Sequence, residues 1–286
     1  MRKPVPKSSS PKKPRTNKKP VRKAGIGFFF LGIAAVLMLF ILGYHYRNGL
    51  AYYFGYKSHK VAWTPEEEKH FSDVRTYELL RKYKDRAIGF DVSQYQEKIA
   101  WEEVNVVEET FPLHFVFIRA TVGKDKVDDE FRNNWIGARK NKFIRGAYHY
   151  YRPNENSLEQ ADNFIKTVKL NKGDLPPVLD IEKLPENQSL DSLKVGLRRW
   201  LEKVDAHYKV KPIIYSGNNY YEAFLKAEFS EYTFWIANYN FFVEDFCDDW
   251  LFWQFTEKAT VKGIPCNVDI NIYNGTLKML QYMTIN

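Results

Sequence analysis

The segment LPPVLDIE, residues 175–182, predicts both a strand and a pair of acids at its end. Two prolines precede an apolar run, and side chains along a strand alternate between its two faces. Asp180 and Glu182 therefore share one face, with Cα atoms about 6.5 to 7 Å apart, whereas Leu179 and Ile181 share the other. Two neighbouring carboxyl groups shift each other's pKa, so the pair is a candidate site in which one stays protonated and acts as an acid. A strand end whose acids meet water or an arginine is the alternative.

Seven more segments carry the same apolar, β-branched or aromatic pattern of a strand. The eight predicted strands are Ala87–Ser93, His114–Thr121, Arg145–Tyr151, Pro177–Glu182, Pro212–Ser216, Phe234–Tyr239, Trp250–Phe255 and Val268–Tyr273. Helical patterns separate the earlier strands, at Asp128–Lys142, Ser157–Leu170, Asp191–Tyr208 and Asn219–Ala227. No clear helix separates the later ones. This alternation predicts an α/β fold, an irregular parallel (β/α) barrel of the TIM type, with its active site at the C-terminal ends of the strands.

Charge is distributed unevenly along the 286 residues, whose formal net charge is +8. Residues 1–23 contain ten of the 43 Lys and Arg residues and no acid, which leaves 33 basic and 35 acidic residues in the remainder. A nearly neutral remainder without a nucleic-acid motif argues against a nucleic-acid partner. The Pro- and Lys-rich tail predicts a disordered cytoplasmic segment that contacts anionic lipid.

Residues 24–44 form an uncharged segment of 21 residues. As a helix it spans about 30 Å, the thickness of a bilayer core. A cleaved signal peptide is the alternative, but its apolar part is shorter, at roughly 7 to 15 residues, and no Ala-x-Ala site follows here. The segment therefore predicts a single-pass transmembrane helix. The basic residues before it place the N-terminus in the cytoplasm and the chain from about residue 45 outside, in the periplasm or at the cell surface.

A linker with one helix is predicted for residues 45–85. Thr64, Pro65 and Glu67 form a helix start with a capping box, and the helix extends to about Lys84. Its apolar stripe allows packing on the following domain, residues 86–286, but we favour a spacer that lifts this domain from the membrane.

Further acids and aromatic residues fall at the predicted strand ends. Asp91 ends the first strand and Asp269 lies on the eighth, so both are expected beside Asp180 and Glu182 at one mouth of the barrel. The aromatic candidates for substrate binding are Tyr148, Tyr150, Tyr215, Trp235, Tyr239 and Trp253. Rings that stack on sugar faces, beside acids that protonate a glycosidic oxygen, are what a carbohydrate site needs. His149 points to the opposite face from Tyr148, so a packed, hydrogen-bonded role is predicted for it.

Eight motifs follow one another along the predicted strands: GFDVSQYQ (89–96), FVFIRAT (115–121), GAYHYYRP (146–153), VLDIE (178–182), IYS (214–216), WIANY (235–239), WQF (253–255) and VDIN (268–271). In this order they resemble the motifs of the family 25 lysozymes, N-acetylmuramidases of the Chalaropsis type. The resemblance covers about residues 88–275. It implies a barrel of eight strands and about five helices that hydrolyses the β-1,4 bond between N-acetylmuramic acid and N-acetylglucosamine in peptidoglycan.

The resemblance also implies roles for the acids. Glu182 matches the proton donor, Asp180 its partner in the Asp-x-Glu motif, and Asp91 and Asp269 the two remaining family aspartates. Two interpretations stay open: Asp91 is the second catalytic carboxylate, or Asp180 orients the acetamido group of the substrate, which attacks the anomeric carbon. The second motif departs from the family pattern at Val122, where the family has a glutamate. This difference puts the fine substrate specificity in doubt.

The sequence lacks the motifs of other catalytic mechanisms. Zinc, phosphate-loop and Gly-x-Ser-x-Gly signatures do not occur in the sequence, so no metal and no cofactor are expected. Cys247 and Cys266 permit one disulfide. Two alternatives to a peptidoglycan hydrolase are a glycan-binding protein that has lost catalysis, which predicts missing acids, and a glycosidase for another amino-sugar polymer.

Overall fold

The structure of the chain is a computed structural model that describes residues 25–45, 64–240, 243 and 250–285. The chain divides into two units, Met1–Leu50 and Ala51–Asn286. In the first unit helix α1 (Gly25–His45) coincides with the predicted apolar segment, and the predicted basic tail lies outside the described residues. None of the helices in the described ranges combines the length and apolarity needed to cross a membrane.

The second unit contains a closed barrel of eight strands. They are β1 (Ile88–Val92), β2 (Phe115–Val122), β3 (Ile144–Tyr150), β4 (Val178–Asp180), β5 (Ile213–Gly217), β6 (Thr233–Ala237), β7 (Trp250–Ala259) and β8 (Val268–Tyr273). Each strand pairs with the next one along the chain, and β1 closes the barrel by pairing with both β2 and β8. A two-residue strand, Lys126–Val127, extends the sheet beside β2, and Val106–Val107 pairs with Phe111–Pro112 in a separate ribbon. All eight predicted strands are present, and their number is confirmed.

Strand β8 departs from the predicted parallel arrangement. Strands β1 to β7 are parallel to their barrel neighbours, but β8 is antiparallel to both β7 and β1. The reason is the connection between β7 and β8, residues 260–267, which contains no helix. A parallel strand needs a crossover connection of a dozen residues or more, whereas a short connection returns the chain in the opposite direction. The barrel is therefore mixed.

Helices surround the barrel largely where the periodicity predicts them. They are α2 (Pro65–Lys82), α3 (Phe131–Lys140), α4 (Ser157–Thr167), α5 (Leu190–Tyr208) and α6 (Leu277–Met283), with a short helical segment at Asn218–Tyr220 and Tyr221–Leu225. Side-chain caps set four of the starts, since a side-chain oxygen accepts from the backbone of the first turn in α2 (Thr64), α4 (Asn156), α5 (Ser189) and α6 (Thr276). The observed helices end up to three residues earlier than predicted.

Helix α2 packs on the barrel, so the favoured interpretation as a spacer is wrong. Its start is as predicted, with Glu67 N donating to Thr64 Oγ1 and Thr64 N donating to Glu67 Oε2, at 3.2 and 2.8 Å. Leu80 is fully buried, and the ring of Tyr83, just after the helix, lies edge-on to that of Trp253 at 6.1 Å. The outer face of β7 is apolar and has no crossover helix of its own in the described part of the chain. Helix α2 buries that face.

Aromatic side chains fill the lower part of the barrel. Phe117 stacks on Trp235 with ring centroids 4.5 Å apart, and Phe252 meets Phe117 edge-on at 5.0 Å. Phe115 continues this cluster towards the N-terminal ends of the strands. The barrel interior is therefore a packed core with space left only near the C-terminal ends of its strands.

Candidate active site

A cavity of 290 Å³ opens at the C-terminal ends of the strands. Its walls are formed by Asp91, Ser93, Tyr95, Gln96, Arg119, Tyr148, Tyr150, Asp180, Glu182, Tyr215, Trp235, Tyr239, Gln254 and Asp269. The four acids selected from the sequence come from β1, the end of β4 and β8, and the structure brings all of them to this one cavity. Arg119 is the only Lys or Arg among these wall residues.

Asp91 is held by two amide groups. Gln254 Nε2 and Asn271 Nδ2 both donate to Asp91 Oδ2, at 2.8 and 2.7 Å. The amide oxygens are engaged elsewhere, since Asn271 Oδ1 accepts from Trp235 Nε1 at 2.7 Å and Gln254 Oε1 accepts from Tyr215 at 2.7 Å. An indole nitrogen can only donate, so the Asn271 oxygen faces the indole and its NH₂ group faces Asp91. This network presents the Asp91 carboxyl to two donors, which favours its ionised form.

Asp91 also lies directly opposite Asp269 across the pairing of β1 with β8. Burial raises the pKa of Asp91 from its ordinary 3.8 to about 7, although the hydrogen bonds from Asn271 and Gln254 lower it, and the charge of Glu182 adds a smaller increase. Burial likewise raises the pKa of Asp269, to about 9, and the charge of Asp91 contributes next. Like charges this close cannot all ionise together, so the cluster retains protons at neutral pH.

Asp180 and Glu182 stand where strand β4 ends, as their alternation predicts. Neighbouring strands hold the backbone here: Tyr151 N donates to Asp180 O, and Ile181 N donates to Tyr215 O, at 2.8 and 3.0 Å. Asp180 is 5% exposed, and its Oδ1 has no hydrogen-bond partner among the described residues. Burial raises the pKa of Asp180 well above its ordinary value, and the charge of Glu182 adds to this. The result is a buried carboxyl group whose protonated form is favoured and which has one oxygen available.

Glu182 differs from Asp180 in its surroundings. The residue as a whole is exposed, yet desolvation of its carboxyl group raises its pKa, while a hydrogen bond with Asp180 lowers it. Glu182 also borders a second cavity of 470 Å³, which shares Tyr215 and Tyr239 with the first. The remaining walls of this second cavity are Gly217, Asn218, Asn219, Tyr220, Ala237, Asn238 and Asn240. Glu182 therefore lies between an acidic cavity and a neutral one rich in amide groups.

The aromatic candidates divide into three groups. Tyr148, Tyr150, Tyr215 and Tyr239 line the acidic cavity, in agreement with their predicted position. Trp235 also reaches it but is 2% exposed, stacked on Phe117 and bonded to Asn271, so it forms the floor of the cavity.

Trp253 is outside the cavity, and its predicted place in the substrate site is wrong. Its ring is fully buried on the outer face of β7 against Tyr83, and its Nε1 donates to Asn238 O at 3.0 Å. Side chains alternate along β7, so Gln254 points inward where Trp253 points outward.

His149 is packed and hydrogen-bonded, in agreement with the prediction. Its ring nitrogens pair with Thr121 and Gln160, at 2.7 and 3.1 Å, and the ring stacks on Trp200. Burial lowers the pKa of His149 to about 3, so it is neutral. Val122 is buried at the end of β2 and does not line the acidic cavity.

Six residues that line the cavity or hold Asp91 were not among the sequence candidates, namely Ser93, Tyr95, Gln96, Arg119, Gln254 and Asn271. Arg119 Nε donates to Asp128 at 2.8 Å, and its guanidinium group lies 4.7 Å from the centre of the Tyr95 ring. Gln254 and Asn271 are polar residues in otherwise apolar strands. An amide on an inward-facing strand position needs a buried partner, and this signal was available from the alternation alone.

Among the residues that the structure describes, no group of three or more His, Cys, Asp or Glu side chains is arranged to hold a metal ion. Cys266 is half-buried, and Cys247 lies outside the described residues, so their pairing stays a prediction.

A mixed eight-stranded barrel with paired carboxyl groups and aromatic residues at its mouth defines a glycoside hydrolase. The profile of the family described as Glycosyl hydrolases family 25 matches residues 90–264, and the chain belongs to this family. The fold is that of a solved family 25 glycosyl hydrolase from Bacillus anthracis, with a TM-score of 0.63 and 28% identity over 71% of this chain and 95% of the other.

Two sequence relatives cover a similar share of the chain. One is the uncharacterized protein YegX of Escherichia coli K12, 40% identical over 197 residues, which are 68% of this chain and 71% of YegX. Another is Lysozyme M1 of Streptomyces globisporus, 30% identical over 213 residues, which are 69% of this chain and 71% of the lysozyme.

Proposed function

We propose that the chain is a peptidoglycan hydrolase, a lysozyme that cleaves the β-1,4 bond between N-acetylmuramic acid and N-acetylglucosamine. The observation that carries this proposal is the convergence of Asp91, Asp180, Glu182 and Asp269 on one cavity, since a non-catalytic glycan-binding relative is expected to lose such costly buried acids. The similarity to Lysozyme M1 supports the substrate class.

Glu182 is the general acid in this proposal. A second cavity adjoins the first at Glu182, so a glycan strand that occupies both places its glycosidic bond beside this side chain. Burial raises the pKa of both Glu182 and Asp180, which favours the protonated form that a general acid needs, and Glu182 is the more exposed of the two. Protonation of the bridging oxygen lets the bond to the anomeric carbon break.

Asp180 orients the acetamido group of the substrate. Its Oδ1 is buried and lacks a partner among the described residues, and such an atom is expected to serve a ligand. A hydrogen bond to the acetamido group aligns the carbonyl oxygen of that group for attack on the anomeric carbon. In its ionised form Asp91, held by its two amide donors, faces the positive charge that develops there.

The test is incubation of the full-length protein with purified peptidoglycan, followed by mass spectrometry of the released muropeptides. New reducing ends on N-acetylmuramic acid are expected, and Glu182→Gln is expected to abolish them. Reducing ends on N-acetylglucosamine point to a different glycosidase. Unchanged glycan that still retains the protein identifies a binding protein instead. Full activity of Glu182→Gln refutes the assignment of the acid.

Attack by the acetamido group of the substrate, called substrate assistance, has its own test. Peptidoglycan that has been chemically de-N-acetylated lacks the attacking carbonyl oxygen, so we expect its cleavage to fall by at least about 100-fold. Re-acetylation of the same material is the control and restores cleavage. Equal rates on both forms would instead favour Asp91 as the second catalytic carboxylate.

The proposal includes a membrane anchor, which places the catalytic unit outside the cytoplasm. It rests on the 21 uncharged residues at 24–44 and the ten basic residues before them. Resistance to carbonate extraction is expected for the full-length chain, and release by carbonate would exclude an integral anchor. A C-terminal reporter that is active only in the cytoplasm would overturn the orientation.

A further inference from the structure

Helix α2 contacts the barrel backbone near the active site through the side chain of Arg75. This residue is 9% exposed and bonds the middle of β7 and the segment that follows β6. Its Nη1 donates to Phe255 O at 2.6 Å, and its Nη2 donates to Asn240 O at 2.9 Å. One guanidinium group therefore joins backbone atoms of two barrel segments to the helix that precedes the barrel.

The two carbonyl groups lie where the strand pairing is interrupted. The pairing of β6 with β7 ends at Ala237 opposite Gln254. Along β8, Gln254 is opposite Asn271 and Thr256 is opposite Ile270, so Phe255 is an extra residue and forms a β-bulge. A bulge redirects the side chains beside it and leaves backbone groups outside the regular ladder. Arg75 provides donors for such groups at this point.

Each bonded carbonyl belongs to the residue after a cavity residue. Phe255 follows Gln254, and Asn240 follows Tyr239. The hydroxyl group of Tyr239 donates to Gln254 Oε1, and Gln254 Nε2 donates to Asp91 Oδ2. The distance between the segment after β6 and the middle of β7 thus determines whether Tyr239 and Gln254 meet, and Gln254 in turn orients Asp91.

We propose that Arg75 is a positioning residue of the active site: it links the segment after β6 to the bulge of β7 and so maintains the Tyr239–Gln254–Asp91 chain of hydrogen bonds. Helix α2 lies before residue 90, where the family match begins, so this link comes from a segment outside the matched region. The effect of Arg75 on catalysis rests on the proposed function, whereas its effect on Asp91 does not.

The test variant is Arg75→Lys, because an ammonium group retains the charge but lacks the planar fork that serves two carbonyl groups at once. The matched control is Arg145→Lys. Arg145 is also buried and donates to a backbone carbonyl, that of Trp135, besides pairing with Asp174. It lies on β3 and does not line the cavity. Both variants are expected to lower the melting temperature, so stability alone does not decide the question.

The deciding measurement is the titration of the Asp91 carboxyl carbon by NMR in the full-length protein. A weakened hydrogen bond from Gln254 is expected to raise the pKa of Asp91 by about half a unit to one unit in Arg75→Lys, and to leave it unchanged in Arg145→Lys. With peptidoglycan as substrate, kcat of Arg75→Lys is expected to fall about tenfold and the acidic limb of its pH profile to move upward.

An unchanged Asp91 titration in folded Arg75→Lys overturns the proposal, whatever its melting temperature. If Arg75→Lys does not fold, Arg75→Gln, which donates to one carbonyl group at a time, takes its place under the same criteria. Absence of cleavage by the unmodified protein refutes the proposed lysozyme function, and the titration still decides the role of Arg75.

Discussion

Replacement of Gln254 by leucine tests the network around Asp91 most directly. Gln254→Leu has a similar volume but removes the donor to Asp91 and the acceptor for the Tyr215 and Tyr239 hydroxyl groups. A hydrogen bond to a charged group contributes about 1.5 to 3 kcal/mol, which corresponds to about one to two units of pKa. The pKa of Asp91, about 7 in the intact protein, is therefore expected to rise to about 8 or 9.

This shift has a defined effect on the rate. At pH 7 the ionised fraction of Asp91 falls from about one half to between about one tenth and one hundredth, so kcat/KM at this pH is expected to fall about 5- to 50-fold. The assay is release of soluble muropeptides across pH 5 to 9, and the acidic limb of the profile is expected to move upward. Gln160→Leu is the control, because Gln160 is equally buried but bonds His149 and Arg152. A folded Gln254→Leu with an unshifted acidic limb would refute this reasoning.

Three further predictions concern stability. Trp253→Ala is expected to lower the free energy of unfolding by about 3 to 5 kcal/mol while KM stays unchanged, because the ring packs against α2; urea titration and kinetics check this. Between pH 4 and 7 the folded protein binds a proton at Asp91 that the unfolded chain releases, so this group contributes a fall in stability of up to about 4 kcal/mol as pH rises, and Asp91→Asn is expected to reduce the slope in urea titrations at each pH. Thr64→Ala removes the cap of α2 and is expected to cost about 1 kcal/mol by thermal unfolding, with Glu78→Ala, at an exposed position of the same helix, as the control.

Much of the barrel follows from local patterns in the sequence. The eight strands are apolar segments of the right length, and the caps Asn156 and Ser189 set the starts of their helices, because strand and cap preferences act within a few residues. The antiparallel β8 was not predicted, although its short connection contained the reason. The predicted role of α2 as a spacer was also wrong, since an apolar stripe shows that a helix packs but does not show on which surface.

The sequence alone determined that Asp180 and Glu182 share a face at a strand end, because alternation is a property of the chain itself. Only the tertiary structure decided which distant residues meet them. It placed Asp269 opposite Asp91, turned Gln254 inward and Trp253 outward, and brought Arg75 to the bulge of β7 and the segment after β6. Register, bulges and packing between segments far apart in the chain set these contacts, and the pKa of each acid depends on them.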